Sequence, residues 1–300
     1  MRVQGPASVQ TGSRPRRGLW VLAFVVLAGL PAPRSSAAVS AKAVEEWAGD
    51  FLARREAHGF GRKLSLPEGL RVQREFVKLL QPEFGRPVGY KVGLITREAQ
   101  QKFGVEAPVR GVLLEKMLLA NGSEVPRNYG VHPILEADLI VIVKDKEINK
   151  AHSILEVAEN LKEVVAFIEL PDAFIPTNPP PDGALLTAGN VGARLGIMGQ
   201  RIPVNGTAAF SQALGDMTAV ITDEHGTELG RGQGKAILDH PLNSVLWLIE
   251  ELHQTGQKLK PGDILSLGAI KAIPLPDTKV VTVRYDGLPG GPLSVAVRLR

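Results

Sequence analysis

Apolar residues recur at three- and four-residue spacing in two early stretches, 43–58 (AVEEWAGDFLARREAH) and 69–80 (GLRVQREFVKLL). This spacing predicts two amphipathic helices. After Gly89 the texture changes to short unbroken apolar runs: 139–143 (LIVIV), 164–168 (VVAFI), 218–221 (TAVI) and 280–283 (VVTV). Such runs predict buried strands. Asp223-Glu224-His225-Gly226 and Asp286-Gly287-Leu288-Pro289-Gly290-Gly291 lie between alternating segments and read as hairpin turns. Two helices interrupt this β body. Ser153-Ile154-Leu155-Glu156 has capping-box spacing and opens a helix to about Glu163. The second starts near Pro241, whose missing N–H costs nothing in a first turn, and carries Leu242, Leu246, Trp247, Ile249 and Leu252 before Gly256. Pro179-Pro180-Pro181 stiffens a loop. Without a repeat, a heptad run or a separating linker, the pattern predicts one α+β unit with a helical entry and a largely antiparallel body.

The first 41 residues stand apart. They hold Arg2, Arg14, Arg16, Arg17 and Arg34 with no acid, then an uncharged run from Gly18 to Leu30 and a small-residue stretch ending in Val39-Ser40-Ala41. This is the order of a secretory signal peptide. The run would span roughly 20 Å as a helix, against the ~30 Å of a bilayer core, so cleavage is favoured over anchoring and no membrane span persists. The expectation is an exported, periplasmic protein with residues 1–41 as leader, 42–88 as helical segment and 89–300 as main body. A mis-assigned start codon would make it cytoplasmic. Composition limits the chemistry: with 44% hydrophobic, 22% charged and no Cys, disorder, disulfide scaffolds and thiolate sites are excluded. Outside the leader the chain is close to neutral, which argues against a nucleic-acid footprint.

Candidate chemistry concentrates in carboxylates. Within His132-Pro133-Ile134-Leu135-Glu136-Ala137-Asp138-Leu139, an extended backbone projects Glu136 and Asp138 from one face, about 6–7 Å apart. The strand run 164–168 ends in Glu169, and Asp172 follows after Leu170-Pro171. Ionised carboxylates entering a core demand compensation, and an oxygen-preferring dication supplies it, which makes Mg²⁺ or Mn²⁺ the candidate. Gly89-Tyr90-Lys91-Val92-Gly93-Leu94 places one Lys inside a glycine-bracketed apolar run, with Thr96 and Gln100 close behind. Such a Lys is either a snorkelling surface residue or a semi-buried partner for an anion. His132 lies near enough to reach a pocket rim but reads as ordinary packing or exposure; His240 reads as part of a helix start.

Taken in order, Gly89-Tyr90-Lys91-Val92-Gly93-Leu94, Gln100 with Phe103-Gly104-Val105, Pro108, Gly111, Pro133 with Glu136-Ala137-Asp138, Glu169-Leu170-Pro171-Asp172, Asn190, His240-Pro241-Leu242 with Trp247-Leu248, and Gly262-Asp263-Ile264-Leu265 with Gly268 form an ordered set. The set resembles the 2-keto-4-pentenoate hydratase and 4-oxalocrotonate decarboxylase branch of the fumarylacetoacetate hydrolase superfamily, over roughly Val72 to Leu299. The resemblance implies a mixed β-roll, a Mg²⁺ or Mn²⁺ site, homo-oligomers, and lyase chemistry on small 2-oxo or 2-hydroxydienoic acids. Hydration is the leading activity. Decarboxylation of the 4-oxalocrotonate type, or an exported member that binds a 2-oxo acid or dicarboxylate without turnover, are the alternatives.

Carried over by resemblance, Glu136, Asp138 and Glu169 fall on the metal-ligand positions, with Asp138 replacing a usual Glu. Lys91, Glu169 and Asp172 are the catalytic candidates, and Lys91, Thr96, Gln100 and Asn190 the substrate-binding ones. Several neighbouring positions depart from the pattern. Ile95-Thr96 stands where Thr-Ser is usual, Ala173-Phe174 where Ser-Arg is common, Gly189 where Ala or Asp is usual, and Ala269 where a hydroxyl is frequent.

Overall fold

The chain enters through two helices whose apolar faces meet. In a computed structural model that describes residues 38–176 and 181–300, α1 (Ala41–Leu52) is capped by Ser40, whose hydroxyl accepts the Ala43 N–H at 3.2 Å. α2 (Leu66–Phe84) opens on a capping box that the hydrophobic pattern did not reveal. Ser65 accepts the Glu68 N–H, and the Glu68 carboxylate accepts the Ser65 N–H at 2.9 Å. The first helix stops at Leu52, short of the expected 58. Arg54 turns to a φ of 56°, and Ala57 donates its N–H to the Phe174 carbonyl at 2.9 Å, so the chain leaves the helix to tie down a distant loop.

The body follows as β1 (Pro87–Gly93), α3 (Arg97–Lys102), β2 (Val109–Leu114), β3 (Leu118–Ala120), β4 (Glu124–Val125) and the long β5 (Ile134–Val143). α4 (Ile154–Glu159), β6 (Leu161–Leu170), α5 (Gly183–Ala188) and β7 (Leu195–Pro203) come next. The chain continues with α6 (Ala208–Asp216), β8 (Thr218–Thr222), β9 (Glu228–Gln233) and α7 (Pro241–Gln254). It ends in β10 (Ile264–Ser266), β11 (Lys271–Pro274), β12 (Val280–Asp286) and β13 (Leu293–Leu299). α4 closes at Glu159, not near Glu163, because the apolar run of β6 pairs on both sides, with β5 and β7, and strand pairing outcompetes helix continuation.

One sheet has the order β2-β1-β10-β5-β6-β7-β3, with β11 added along β5, and the other the order β4-β13-β12-β8-β9. The expected α+β mixed β-roll with N-terminal helices is present. Its sheets are more mixed than the short runs alone suggested, since β1–β10, β3–β7 and β4–β13 pair in parallel. The turns at 223–226 and 286–291 do join β8 to β9 and β12 to β13. Residues Ala38–Arg300 form one compact unit.

Two cores hold it. The larger lies between the sheets and under α7, where Leu139, Val141, Val164, Ile168, Val283 and Leu248 are fully buried. The smaller packs α1 and α2 through Trp47, Phe51 and Phe76 onto Phe174, whose ring stacks on Phe76 with centroids 5.7 Å apart. Such aromatic pairs add about 0.5–1.5 kcal/mol each beyond area burial. The entry helices therefore position the loop after β6, which forms one wall of the cavity described next.

Candidate active site

The strand register brings the chemistry to one sheet face. Glu136 on β5 is directly opposite Glu169 on β6, and Asp138 is opposite Phe167. Lys91 on β1 pairs with Ser266 on β10, which in turn pairs with Ile140 on β5. Because paired residues project together and alternate residues share a face, Lys91, Ser266, Glu136, Asp138 and Glu169 all point the same way. The opposite face feeds the larger core.

Lys91 is 3% exposed, forms an ion pair with Glu169 and donates to the Val191 carbonyl at 3.1 Å. Val191 sits in a run of left-handed residues, Asn190, Val191 and Gly192, with φ of 57°, 54° and 66°. A β-branched residue at positive φ is strained by about 1–3 kcal/mol, and such strain persists where surrounding contacts enforce it. Here the contacts are visible. The Asn190 side chain accepts the Val112 N–H at 2.7 Å and donates to the Val112 carbonyl at 2.9 Å. A Cβ on Gly93 would lie 2.5 Å from Val191, and one on Gly111 would lie 2.7 Å from the Asn190 carbonyl and 2.9 Å from the Lys91 stem. Of the two glycines that bracket Lys91 in the sequence, Gly93 leaves room for this turn, whereas Gly89 lets β1 approach the Ile264 backbone of β10.

Asp138 is fully buried and held by three donors: the Ser266 hydroxyl at 2.5 Å, the Leu139 N–H at 2.6 Å and the Gly268 N–H at 3.0 Å. Tyr285 on β12 donates from behind to the carbonyls of Asp138 and Phe167, at 2.6 and 2.7 Å, and so pins β5 and β6 beneath the site. Burial, then the charge of Glu169, pushes the Asp138 carboxyl well above the carboxylate range. The same two causes, in that order, raise Glu136 to about 7. Burial by itself would lower Lys91, but Glu169 and Glu136 more than offset it and the net shift is upward.

With all three carboxyl groups ionised, one lysine would leave negative charge uncompensated, and the donors are all hard oxygens, a set suited to a divalent cation of the Mg²⁺ type that would take the place of the bound protons. Charge and chemistry fit; the side-chain arrangement is not yet that of a coordination shell. Among the described residues no three His, Asp or Glu side chains form a ready cluster; Asp138 is held by Ser266 and Gly268, and Glu169 is paired with Lys91.

Lys91, Thr96, Glu136 and Asp172 line a cavity of ≈ 660 Å³. Asp138, Glu169, Gln100 and Asn190 are not among its lining residues. Gln100 is spent locally, donating to the Leu94 carbonyl at 2.9 Å, and Asn190 on the clamp to Val112. Both side chains, expected to bind substrate, are engaged with the protein's own backbone here. Asp172 is likewise occupied: it accepts the N–H groups of Val131 and His132 at 2.7 and 2.9 Å and faces Arg194 Nε at 3.0 Å. These contacts anchor the segment after β6 at the cavity wall. Thr96 caps α3, accepting the Ala99 N–H at 3.1 Å, and keeps its own hydroxyl proton to offer. His132 lies 3.0 Å from Glu56 on the surface, and His240 caps α7 by accepting the Leu242 N–H, as its sequence context indicated.

Ser266, Val191, Arg194 and Tyr285 are the participants sequence reasoning passed over. A lone hydroxyl closing the apolar run of β10 was the available signal for Ser266. The departures Ile95, Ala173, Phe174 and Ala269 all line the cavity.

The chain is homologous to lyases acting on small oxo acids. Its relatives include 2-keto-4-pentenoate hydratases and 4-oxalocrotonate decarboxylases, in keeping with the motif order. It is 26% identical to the 4-oxalocrotonate decarboxylase of Pseudomonas putida over 227 residues, 75% of this chain and 84% of that one. It is 28% identical over 195 residues to the 2-keto-4-pentenoate hydratase of Burkholderia vietnamiensis, 62% of this chain and 68% of that one. Among solved structures, the 4-oxalocrotonate decarboxylase from Pseudomonas putida G7 in complex with magnesium and adipate superposes with a TM-score of 0.73 at 25% identity, covering 87% of this chain and 99% of that one. No family model matches.

The expectation of a periplasmic protein is corrected by these relatives, which are named as hydratases and decarboxylases of small oxo acids. Residues 1–37, which carried the signal-peptide reading, lie outside the described residues, as do Pro179 and Pro180. Among the described residues no helix is long and apolar enough to cross a membrane.

Proposed function

We propose that the Lys91 cavity hydrates 2-oxo acids of the 2-hydroxypenta-2,4-dienoate type with the help of a bound Mg²⁺ or Mn²⁺. The observation that carries this reading is a buried lysine beside Glu136 at the floor of a cavity large enough for such an acid, with Glu169 paired to the lysine and Asp138 next to them behind the lining. The magnesium in the solved decarboxylase supports a divalent ion here. Glu136 and Glu169, facing each other across the strands, are the residues to hold it, with the charge of Asp138 behind them. When bound, the ion supplies Lewis-acid polarisation of the substrate oxygens.

The chain's own groups divide the remaining work. The Val191 carbonyl aims the Lys91 ammonium, which holds the substrate carboxylate or returns a proton to the carbon skeleton. Glu169, in ion-pair contact with Lys91, exchanges that proton as water adds across the distal double bond. General acid–base assistance of this kind is worth about 10²–10⁴-fold. Thr96 offers a hydroxyl donor from the wall, while Asp172 and Arg194 keep the end of β6 in place. Decarboxylation is the second reading, favoured by the superposition on the decarboxylase.

An ultraviolet assay with 2-hydroxypenta-2,4-dienoate tests it, run with Mg²⁺, with Mn²⁺ and with EDTA. Metal-dependent loss of the dienol absorbance with 4-hydroxy-2-oxopentanoate as product is the expected result. Release of CO₂ from 4-oxalocrotonate without that hydration would move the assignment to the decarboxylase.

A further inference from the structure

The cavity is far larger than a five-carbon acid requires. Such an acid has about eight non-hydrogen atoms, roughly 240 Å³ at the ~30 Å³ share of a liquid water, against ≈ 660 Å³ available. What surrounds the surplus is apolar. Ile95, Ile134, Phe174, Ile175, Leu186 and Val191 line it from five different segments of the chain.

The charges are distributed unevenly. Among the described lining residues Lys91 is the sole buried cation, and it stands at the floor beside Glu136. Lys102 and Lys271 line the mouth but are exposed, and Glu98 stands exposed with them. A carboxylate paired there stays in water, where an ion pair contributes little. Arg194, the nearest other buried guanidinium, is engaged by Asp172, by the Phe51 carbonyl and by the face of the Phe51 ring at 3.8 Å. Residues 177–180, Thr-Asn-Pro-Pro, supply no cation in any arrangement. A second carboxylate drawn into the upper cavity would lose its water and, among the described residues, meet no buried cation, a heavy penalty for a buried anion. An alkyl or aryl tail would replace water on a wall already suited to it.

From this we infer that the site selects a 2-oxo monocarboxylate bearing an apolar tail longer than a pentenoate's, and rejects 2-oxo dicarboxylates. The inference rests on the reading of the Lys91 floor as a 2-oxo acid site. It adds that the upper wall sets specificity through desolvation of the tail, with Leu186 on α5 and Ile134 at the start of β5 as the determining positions nearest the half-exposed rim.

Calorimetric titration of the Mg²⁺-loaded full chain tests it with pyruvate, 2-oxobutanoate, 2-oxohexanoate, 2-oxooctanoate and 2-oxoadipate. Affinity is expected to rise about fourfold per added methylene, the usual gain for burying one. 2-Oxoadipate should bind at least tenfold more weakly than 2-oxohexanoate, which has the same chain length without the second charge. L186K, which places an ammonium against the upper cavity, should move that ratio at least tenfold toward 2-oxoadipate. A flat series with metal-dependent pyruvate binding, or 2-oxoadipate as the tighter ligand of the unaltered chain, overturns the inference and leaves the floor assignment standing. Failure of every acid to bind overturns both.

Discussion

Ser266 on β10 donates its hydroxyl to Asp138 on β5 at 2.5 Å, in a layer where neither residue is exposed at all. The bond fixes the orientation of a carboxylate that Tyr285 also braces through its backbone carbonyl. Outer partners of this kind commonly account for 10–100-fold in metal affinity. S266A should therefore weaken Mg²⁺ or Mn²⁺ binding by about that factor. Denaturant titration should also show a loss of about 1–3 kcal/mol from the carboxylate oxygen left without its donor.

Glu136 links metal binding to pH. Its carboxyl is raised to about 7 in the folded chain from an ordinary 4.5, by burial first and by Glu169 second. Folding therefore strengthens proton binding, so the stabilisation is full below pH 4.5 and is lost as pH rises through 7, about 3 kcal/mol in all. In EDTA the denaturation midpoint should fall across this window, and E136Q should flatten the slope. A dication displaces the proton, so metal affinity should instead climb toward pH 7 and level off above it. A rising midpoint in EDTA would contradict the assignment.

E136A removes the carboxylate altogether. Calorimetry should then show no metal-dependent binding of a 2-oxo acid, while the far-ultraviolet dichroism of the fold is retained, since Glu136 is half-buried at the cavity floor and not packed in either core.

Asn190 serves the backbone. N190A leaves the Val112 N–H and carbonyl without their partners and puts Ala at a φ of 57°. A stability loss of about 3 kcal/mol is expected from unpaired buried groups and the left-handed geometry. A variant that folds as stably as the parent but loses ligand affinity would instead return Asn190 to the binding set.

For Asp172 the expected effect is also on stability. D172N keeps the shape but leaves the buried Arg194 guanidinium without its counter-charge, at a cost of about 3–5 kcal/mol. Thermal denaturation measures it directly, and an unchanged midpoint with activity abolished would support a chemical role.

Much of this was legible before any tertiary structure. Local rules are written in short windows: period-two and unbroken apolar runs marked β5, β6, β8 and β12, spacing marked α1 and α2, and the proline start marked α7. Glu136 and Asp138 were placed on one face because strand side chains alternate, and Lys91 stood out by its glycine bracket. What no window contains is register. Which residue faces which across strands distant in sequence is set by core packing and by the pairing of whole strands. Only the fold set Glu136 opposite Glu169, brought Ser266 against Asp138, and engaged Asn190, Gln100 and Asp172 with groups of the protein itself. Side-chain identity announces which groups carry charge, whereas their partners, and so their freedom to act, are decided by contacts made across the sheet.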